Sequence, residues 1–502
     1  MSDVGPPPAK RTRPSNAADT EIYGSNVTVS ARQTRYMLRS FKKEQMNENI
    51  VLPEPKRKRK PRIEKLMELS ADCLLTIFME MDPKTLSNFA DTCDRLRNLA
   101  KYHFRLKYSQ CFDFESFGNT GRVATDRLEE AEQFLRIFGD QIVTLEMSTA
   151  VFIPFLGISN GLLQLIKQYC YHLKSLELRE FDITNDSADI IRPLFNCVEN
   201  LTLFDCLIVD CNPGPMENLK RLVLDGSICE LWSDVLWKNF PKLEDVTFIQ
   251  VAYLSNDSIV QFLKMNPSLK RLSFTECYNI TSTIFKAVSK LEYLQEFEYT
   301  NGGFNTAHAM QNDLLHLSSL QNLKVLKLDL YNVISPCRLI EKLITNGVAI
   351  EHLRLMNGVG DDTIFEKIAQ INTLKVLRLT DIDELNENHI LSFAKNLKQL
   401  ETLDIKGRTI FTRYGITEIV RKANRLTHLI IDLPEFILTL PIYLDLLDII
   451  QKREQIIKLE LTVFGKNEQI IVPDEVTKGD NEKWISVKKM PSFYIIDDAD
   501  FI

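Results

Sequence analysis

The sequence predicts an α/β fold: a curved solenoid with a parallel sheet on its concave face, behind a small unit of three helices and a basic N-terminal arm. Three observations predict it. The phrase L-x-x-L-x-L recurs about every 26 residues between residues 142 and 461. Residues 63–112 carry apolar side chains at helical rather than repeat spacing. Positive charge is concentrated ahead of residue 62.

The phrase begins with IVTLEM at Ile142 and ends with IIKLEL at Ile456; between them stand LKSLEL at Leu173, LKRLSF at Leu269, LKVLKL at Leu323, IEHLRL at Ile350 and LKVLRL at Leu374 among others. A period of roughly 20 to 29 residues with this consensus is that of leucine-rich repeats. The fourth and sixth positions point inward from a short strand, and the residue between them faces the concave surface, because side chains alternate along a strand. Each repeat returns by a helical segment, for which Ile259, Phe262 and Leu263, and Ile284, Phe285 and Val288, supply apolar faces. One repeat cannot cover its own core, so the ends need caps. Leu128 to Phe138 is expected to cap the front, and residues 466–502, ending in the acidic Asp497-Asp498-Ala499-Asp500, to form a rear cap and loose tail.

Length agrees: 502 residues with 44% apolar content exceed what a single compact core holds. The longest uncharged stretch, Met147 to Ile166, is interrupted by Pro154, Gly157 and Ser159-Asn160-Gly161 and cannot span a bilayer. No apolar signal core opens the chain, so an intracellular protein is expected. The 10 cysteines contain no C-x-x-C, which argues against a disulfide framework or a zinc site.

Residues 1–62 hold 14 Lys or Arg against 6 Asp or Glu, a net of +8 that leaves −15 on the remainder of a chain whose net charge is −7. The arm, with Gly5-Pro6-Pro7-Pro8 and Lys10-Arg11-Thr12-Arg13, is too poor in apolar residues to offset its chain entropy and is expected to be disordered. Pro55 and Pro61 flank Lys56, Arg57, Lys58, Arg59 and Lys60 and keep that run extended, as a nuclear-import receptor requires. Non-specific phosphate binding and a merely solvated linker are the other readings of the run.

Beyond Arg62, Leu74, Leu75, Phe78 and Met81 fall on one helical face behind Ser70 or Asp72 as a cap. Asp82-Pro83 reads as an N-cap with proline at the first helical position, ahead of Leu86, Phe89, Ala90 and Cys93. A third helix after Asp94 would turn Leu96, Leu99, His103 and Leu106 inward. The stretch from Leu66 to Tyr108 resembles an F-box, the module by which substrate receptors dock onto the Skp adaptor of cullin-RING ubiquitin ligases. Leu69, Leu74, Leu75, Ile77, Phe78, Asp82, Leu86, Cys93 and Leu99 match its pattern. Ser70 stands where that family has proline, and Leu96 where it has tryptophan. An F-box ahead of these repeats is similar to the layout of F-box/LRR receptors, over roughly residues 63–465. LKRLSFTECYNIT from Leu269 and VENLTLFDC from Val198 look like that family's cysteine-containing repeats, whereas Phe181, Gly358 or Ile382 occupies the cysteine's place elsewhere. The resemblance implies that Leu69, Ser70, Leu74, Leu75, Ile77, Phe78 and Leu86 contact the adaptor.

Taken by phase, the central concave residues include Glu177, Thr202, Glu298, Lys327, Arg354, Arg378, Asp404, Ile430 and Glu460. Lys327, Arg354 and Arg378 would form a cationic ladder spanning ~10 Å, flanked by His352 and Lys406. Neutralisation by Glu298, Asp329 and Asp404 is one account of it; an acidic or phosphorylated segment of a protein substrate is the other, since guanidinium forks suit carboxylate and phosphate.

The sequence contains no G-x-x-x-x-G-K-[ST] and no H-E-x-x-H. Gly157-Ile158-Ser159-Asn160-Gly161 has the form of a nucleophile elbow but falls inside the array, where Ser159 or Asn160 is expected as a helix cap. Neither catalysis nor a cofactor is expected. Two function classes follow: a substrate receptor of an SCF-type ligase, nuclear with a cytoplasmic pool allowed, or a nuclear repeat scaffold whose helical segment is only a cap and whose arm touches nucleic acid, the less favoured reading.

Overall fold

The computed structural model describes residue 66 and residues 68–490, apart from 109–110, 114–123, 149–155, 184–187, 209–213, 227–238, 252–253, 301–310, 332, 334–335, 408–411, 433–436, 454–457, 465–469 and 478. The basic arm with Lys56 to Lys60 and the acidic C-terminal end lie outside the described residues. The chain forms two compact units, Met1–Leu69 and Ser70–Ile502, and nearly all described residues belong to the second.

That unit opens with three helices: α1 (Ala71–Met79), α2 (Pro83–Ala90) and α3 (Asp94–Lys107). Ser70 Oγ caps α1 by accepting from the Cys73 amide at 3.3 Å. Asp82 caps α2, accepting from the Thr85 amide at 2.8 Å, with Pro83 in the first turn. The core of the three helices contains Leu74, Phe78, Leu86, Ala90, Leu96, Ala100, His103 and Phe104. The inward face of α3 therefore differs from the expected one: Leu106 is 61% exposed and Phe104 takes an inward place. Both side chains are apolar, so spacing alone could not choose between them. Phe104 wins because it enters a second aromatic group, stacking on Phe138 at 4.7 Å and meeting Phe134 at 5.7 Å and Phe112 at 5.3 Å.

Phe134 and Phe138 belong to α4 (Ala124–Phe138), the helix expected as the front cap. The three helices and the solenoid thus share one aromatic core, and Lys84–Glu130 at 2.7 Å and Lys101–Asp140 at 2.8 Å tie their surfaces. No linker separates them at residue 112: Phe112–Asp113 is itself the first strand of the main sheet.

The sheet has 15 strands, all parallel and in chain order. They are β1 (Phe112–Asp113), β2 (Thr144–Ser148), β3 (Ser175–Arg179), β4 (Asn200–Phe204), β5 (Arg221–Asp225), β6 (Asp245–Ile249), β7 (Arg271–Thr275) and β8 (Glu296–Thr300). β9 (Val325–Asp329), β10 (His352–Met356), β11 (Val376–Thr380), β12 (Thr402–Lys406), β13 (His428–Asp432), β14 (Leu459–Phe464) and β15 (Ile485–Met490) follow. The strands from β2 to β14 are the thirteen repeat phrases, and together the architecture is a leucine-rich-repeat solenoid. Burial alternates as the phrase requires: Leu353 and Leu355, or Leu377 and Leu379, are buried, while Arg354 and Arg378 between them are partly exposed. Ile259, Phe262 and Leu263 are buried on the helix Asn256–Met265; Ile284, Phe285 and Val288 are buried on a shorter 3-10 and α turn.

Phe181, Cys206, Val251 and Cys277 fill one buried position two residues beyond β3, β4, β6 and β7. The Cys206 thiol donates to the Leu178 carbonyl at 3.3 Å and Cys277 to that of Phe248 at 3.4 Å, in each case reaching the preceding strand. The residue immediately after the strand has positive φ at Glu180, Asp205, Gln250, Glu276, Asn357 and Asp381, and its amide donates to the last carbonyl of the next strand, as Asp381 does to Lys406 at 2.9 Å. Gly226 takes this conformation too, with φ +59 and the Asp205 carboxylate where a Cβ would stand.

At the C-terminal end β15, which carries no repeat phrase, ends the sheet by pairing with β14. The phase shifts: Ile430 is in register with Thr462, and Glu460 pairs with His428. Glu460 therefore leaves the central row. Leu459, Leu461 and Val463 are all buried, so β14 offers two phases two residues apart, and the phrase IIKLEL matched the other one.

Candidate functional site

The outward face of the sheet is built from the alternate strand residues that the return helices do not cover. Its central row runs in register through Glu298, Lys327, Arg354, Arg378 and Asp404, one residue per strand from β8 to β12. At ~5 Å per strand, three cations occupy ~10 Å. Lys327 Nζ lies 3.4 Å from Glu296 and 3.5 Å from Glu298, so the N-terminal border of the ladder is ion-paired. At the other border Asp404 is only 6% exposed. Burial raises its pKa, while Lys406, Arg378 and Arg354 pull it down. Asp329 plays a different part from that expected: its carboxylate accepts from the Tyr331 amide at 3.0 Å and Asn357 Nδ2 at 3.1 Å, fixing a turn.

His352 and Lys406 fall on opposite flanks of this row. His352 is in register with Val325 and Val376, and its pKa is lowered by desolvation, helped by Arg378 and Lys375 and opposed by Glu351 and Glu296. Lys406 is in register with Asp432, whose carboxylate burial raises and Lys406 lowers. The face thus sets partly exposed guanidinium groups between two acidic borders. Such a surface can meet an anionic side chain by fork-to-fork contact, provided that chain competes with the borders.

At the N-terminal end the same row begins with Asp113, Glu146 and Glu177 in register. The Cys111 thiol donates to Glu146 at 3.0 Å, and burial together with that carboxylate pushes its pKa up to about 12. Burial raises Glu177, opposed by its ion pair with Arg179 and reinforced by Glu146 and Asp113. Glu177 was read as a concave residue in the sequence, but Glu146 and Asp113 beside it were missed. Glu146 could have been found at the fifth position of IVTLEM, but Asp113 belongs to a strand that carries no repeat phrase.

The residues that the F-box resemblance assigns to an adaptor divide sharply. Leu74 and Phe78 are 0% and Leu86 1% exposed, so these three are core and offer nothing to a partner. A helix of two turns must spend its best apolar positions on its own unit before any face is left over. Ser70 is exposed as the cap, Leu69 and Leu75 are half-buried, and Ile77 is 37% exposed. Met79, Tyr102 and Leu106, exposed by 63%, 47% and 61%, add apolar surface that the sequence reading did not assign. Leu99, Tyr102 and Leu106 share one face of α3 by helical spacing.

Among the described residues no group of His, Cys, Asp and Glu is placed to hold a metal, and no helix is long and apolar enough to cross a membrane. Among the described residues the cysteines form no disulfide with one another. Gly157 to Gly161 lies within the helix Leu156–Tyr169, so Ser159 and Asn160 are inside the helix and not its cap; Ser159 is not at a strand-to-helix turn.

No protein-family model matches the chain, and no curated protein matches it. Among solved structures, an internalin C2 from Listeria monocytogenes is 19% identical with a TM-score of 0.27, covering 50% of this chain and 84% of that one. The structure of the Rad7 and Elc1 complex in yeast is 16% identical with a TM-score of 0.38, covering 95% of this chain and 100% of that one.

Proposed function

We propose that the chain is a substrate receptor of an SCF-type cullin-RING ubiquitin ligase, in which the helical unit docks a Skp-type adaptor and the sheet face holds an acidic or phosphorylated protein substrate. The observation that carries this reading is the combination of exposed apolar side chains on the three helices with their fixed attachment to the solenoid through Phe104, Phe112, Phe134 and Phe138. Exposed Ile77, Met79, Tyr102 and Leu106 are the surface that a partner's helices would cover. A rigid joint sets the distance between adaptor and substrate, and that distance fixes the effective concentration of substrate lysines at the ubiquitin-charged enzyme. The chemistry belongs to the partners, and this chain supplies no catalytic group or cofactor.

Lys56 to Lys60 serve in this reading as the nuclear-import signal, with a nuclear protein that also has a cytoplasmic pool. Replacing all five with Ala moves the protein out of the nucleus if the run acts alone; an unchanged distribution that responds only when Lys10 to Arg13 are also replaced shows redundancy.

A second reading, a nuclear scaffold whose helices only cap the solenoid, is favoured by the burial of Leu74, Phe78 and Leu86. Co-expression with a Skp-type adaptor separates the two. Receptor function predicts a stoichiometric complex that Ile77→Ala combined with Met79→Ala weakens by tenfold or more with the circular dichroism spectrum unchanged. A chain that retains no adaptor, and instead shifts DNA in a salt-sensitive manner dependent on residues 10–60, belongs to the scaffold class.

A further inference from the structure

The C-terminal ends of three return helices, Glu387–Asn396, Arg413–Lys422 and Leu440–Gln451, enclose a half-open cavity of about 670 Å3 away from the cationic ladder. Six cations line it: Lys398, Arg421, Lys422, Arg425, Lys452 and Arg453. Asp448 is the one carboxylate in the lining. Part of this charge has structural work. The Arg453 guanidinium donates to the carbonyls of Val420 at 2.7 Å, Ala423 at 3.1 Å and Leu426 at 3.0 Å, closing the end of the helix Arg413–Lys422. Lys452 pairs with Asp448 at 2.6 Å, and Arg421 and Lys422 share Glu418.

Cations collect at helix C-termini because the backbone there carries partial negative charge, roughly half a unit per helix. Three helix ends therefore account for less than two charges, and Arg453 alone meets the carbonyls of Val420 and Ala423 at one helix end and of Leu426 just beyond it. Asp448 and Glu418 offset two more. Lys398 and Arg425 remain, exposed at the cavity and with no ion pair among the described residues. The volume lies in the ~300–1,000 Å3 range of ligand sites. Duplex nucleic acid, by contrast, presents charge every ~1.7 Å along an extended rod and calls for a stripe rather than a pocket. A phosphate group brings a charge of about −1.5 to −2 and three acceptor oxygens on a single side chain, which matches a compact site rich in Arg and Lys.

We propose that this cavity binds a phosphorylated segment of a partner polypeptide, at a site separate from the cationic ladder of the sheet. The proposal does not depend on the ligase reading. It is tested on the full chain with Lys10 to Arg13 and Lys56 to Lys60 replaced by Ala, so that the arm contributes no phosphate binding. The probe is a fluorescent Gly/Ser peptide with two phosphoserines, measured by anisotropy against its unphosphorylated form and against a single-stranded oligonucleotide. Expected are binding of the phosphopeptide at least tenfold tighter than of the unphosphorylated peptide, and a loss of at least tenfold on Lys398→Glu with Arg425→Glu. Lys398→Ala with Arg425→Ala, which introduces no new charge, is expected to lose at least threefold while melting with the parent. Equal binding by the Lys398 and Arg425 variants and the parent, no preference for phosphate, or tighter binding of the oligonucleotide than of the phosphopeptide would each overturn it.

Discussion

Arg354 and Arg378 stand side by side in register on β10 and β11, and the strand that follows places the buried Asp404 next to Arg378. Burial raises the Asp404 pKa, while Lys406 first and then Arg378 and Arg354 lower it. The two cations thus support the folded sheet before any partner arrives. Replacing Arg378 with Ala leaves a buried carboxylate with less compensation, and a stability loss below the ~3–5 kcal/mol of a broken buried ion pair is expected, because Lys406 remains. Asp404→Asn in the same chain should recover part of it. A double-mutant cycle in urea that shows strict additivity would place the stabilising role of Arg378 elsewhere.

Phe78 and Ile77 are neighbours in α1 with opposite roles. Phe78 is fully buried, meeting Phe89 and His103 edge-on at 6.4 and 6.3 Å, so Phe78→Ala should cost about 3–5 kcal/mol by opening a cavity. Ile77→Ala, at a partly exposed position, should cost less than about 1 kcal/mol. Thermal melts of the two variants check the contrast, and equal losses would contradict the assignment of faces.

How much of this was legible depended on whether neighbours in sequence were also the deciding neighbours in space. Lys327, Arg354 and Arg378 could be aligned because each sits between two buried leucine-type positions, and the strand period then fixes which way a side chain points. Ser70 and Asp82 could be named as caps because a cap is a local hydrogen bond. The inward face of α3 could not, since Phe104 is drawn in by Phe112, Phe134 and Phe138, which lie up to a full helix further along the chain. Nor could the shift from Glu460 to Thr462, where three consecutive alternate residues of β14 are all apolar and pattern alone does not choose. The adaptor residues illustrate the same limit: a motif records which side chains recur, not which of them the fold keeps for itself.

His103 gives the fold a pH dependence. Its ring is 6% exposed, Nε2 is buried without a hydrogen-bond partner, and burial, with Lys107 nearby, lowers its pKa below the usual 6.5. The folded chain therefore binds a proton less readily than the unfolded one. Stability is full above the unfolded value and falls as pH drops through 6.5 towards the folded value. His352, shifted the same way, adds to the trend. His103→Leu should weaken the decline, so that the variant gains on the parent at pH 5.5 relative to pH 7.5. Parallel melting curves for parent and variant across that range would contradict this.

Charges alternate along the edge where the strands begin. Glu351 lies 3.5 Å from Lys324 and 2.6 Å from Lys375, and Glu199 bridges Lys174 and Lys220 in the same way. These groups are partly exposed, so each pair contributes little. Glu351→Lys, which lines up three cations, should cost about 1 kcal/mol at low salt and less at 0.5 M salt, where screening is strong. A loss that does not change with salt would point to packing instead.

The central proposal is that the exposed apolar surface of the three helices receives an adaptor while the sheet face remains open to a substrate. Amide hydrogen exchange of the full chain, with and without a Skp-type adaptor, tests it most directly. The account predicts slowed exchange confined to residues 69–81 and 95–107, with β9 to β12 unchanged. No slowing in the helices, or slowing centred on the strands that carry Lys327, Arg354 and Arg378, would contradict it.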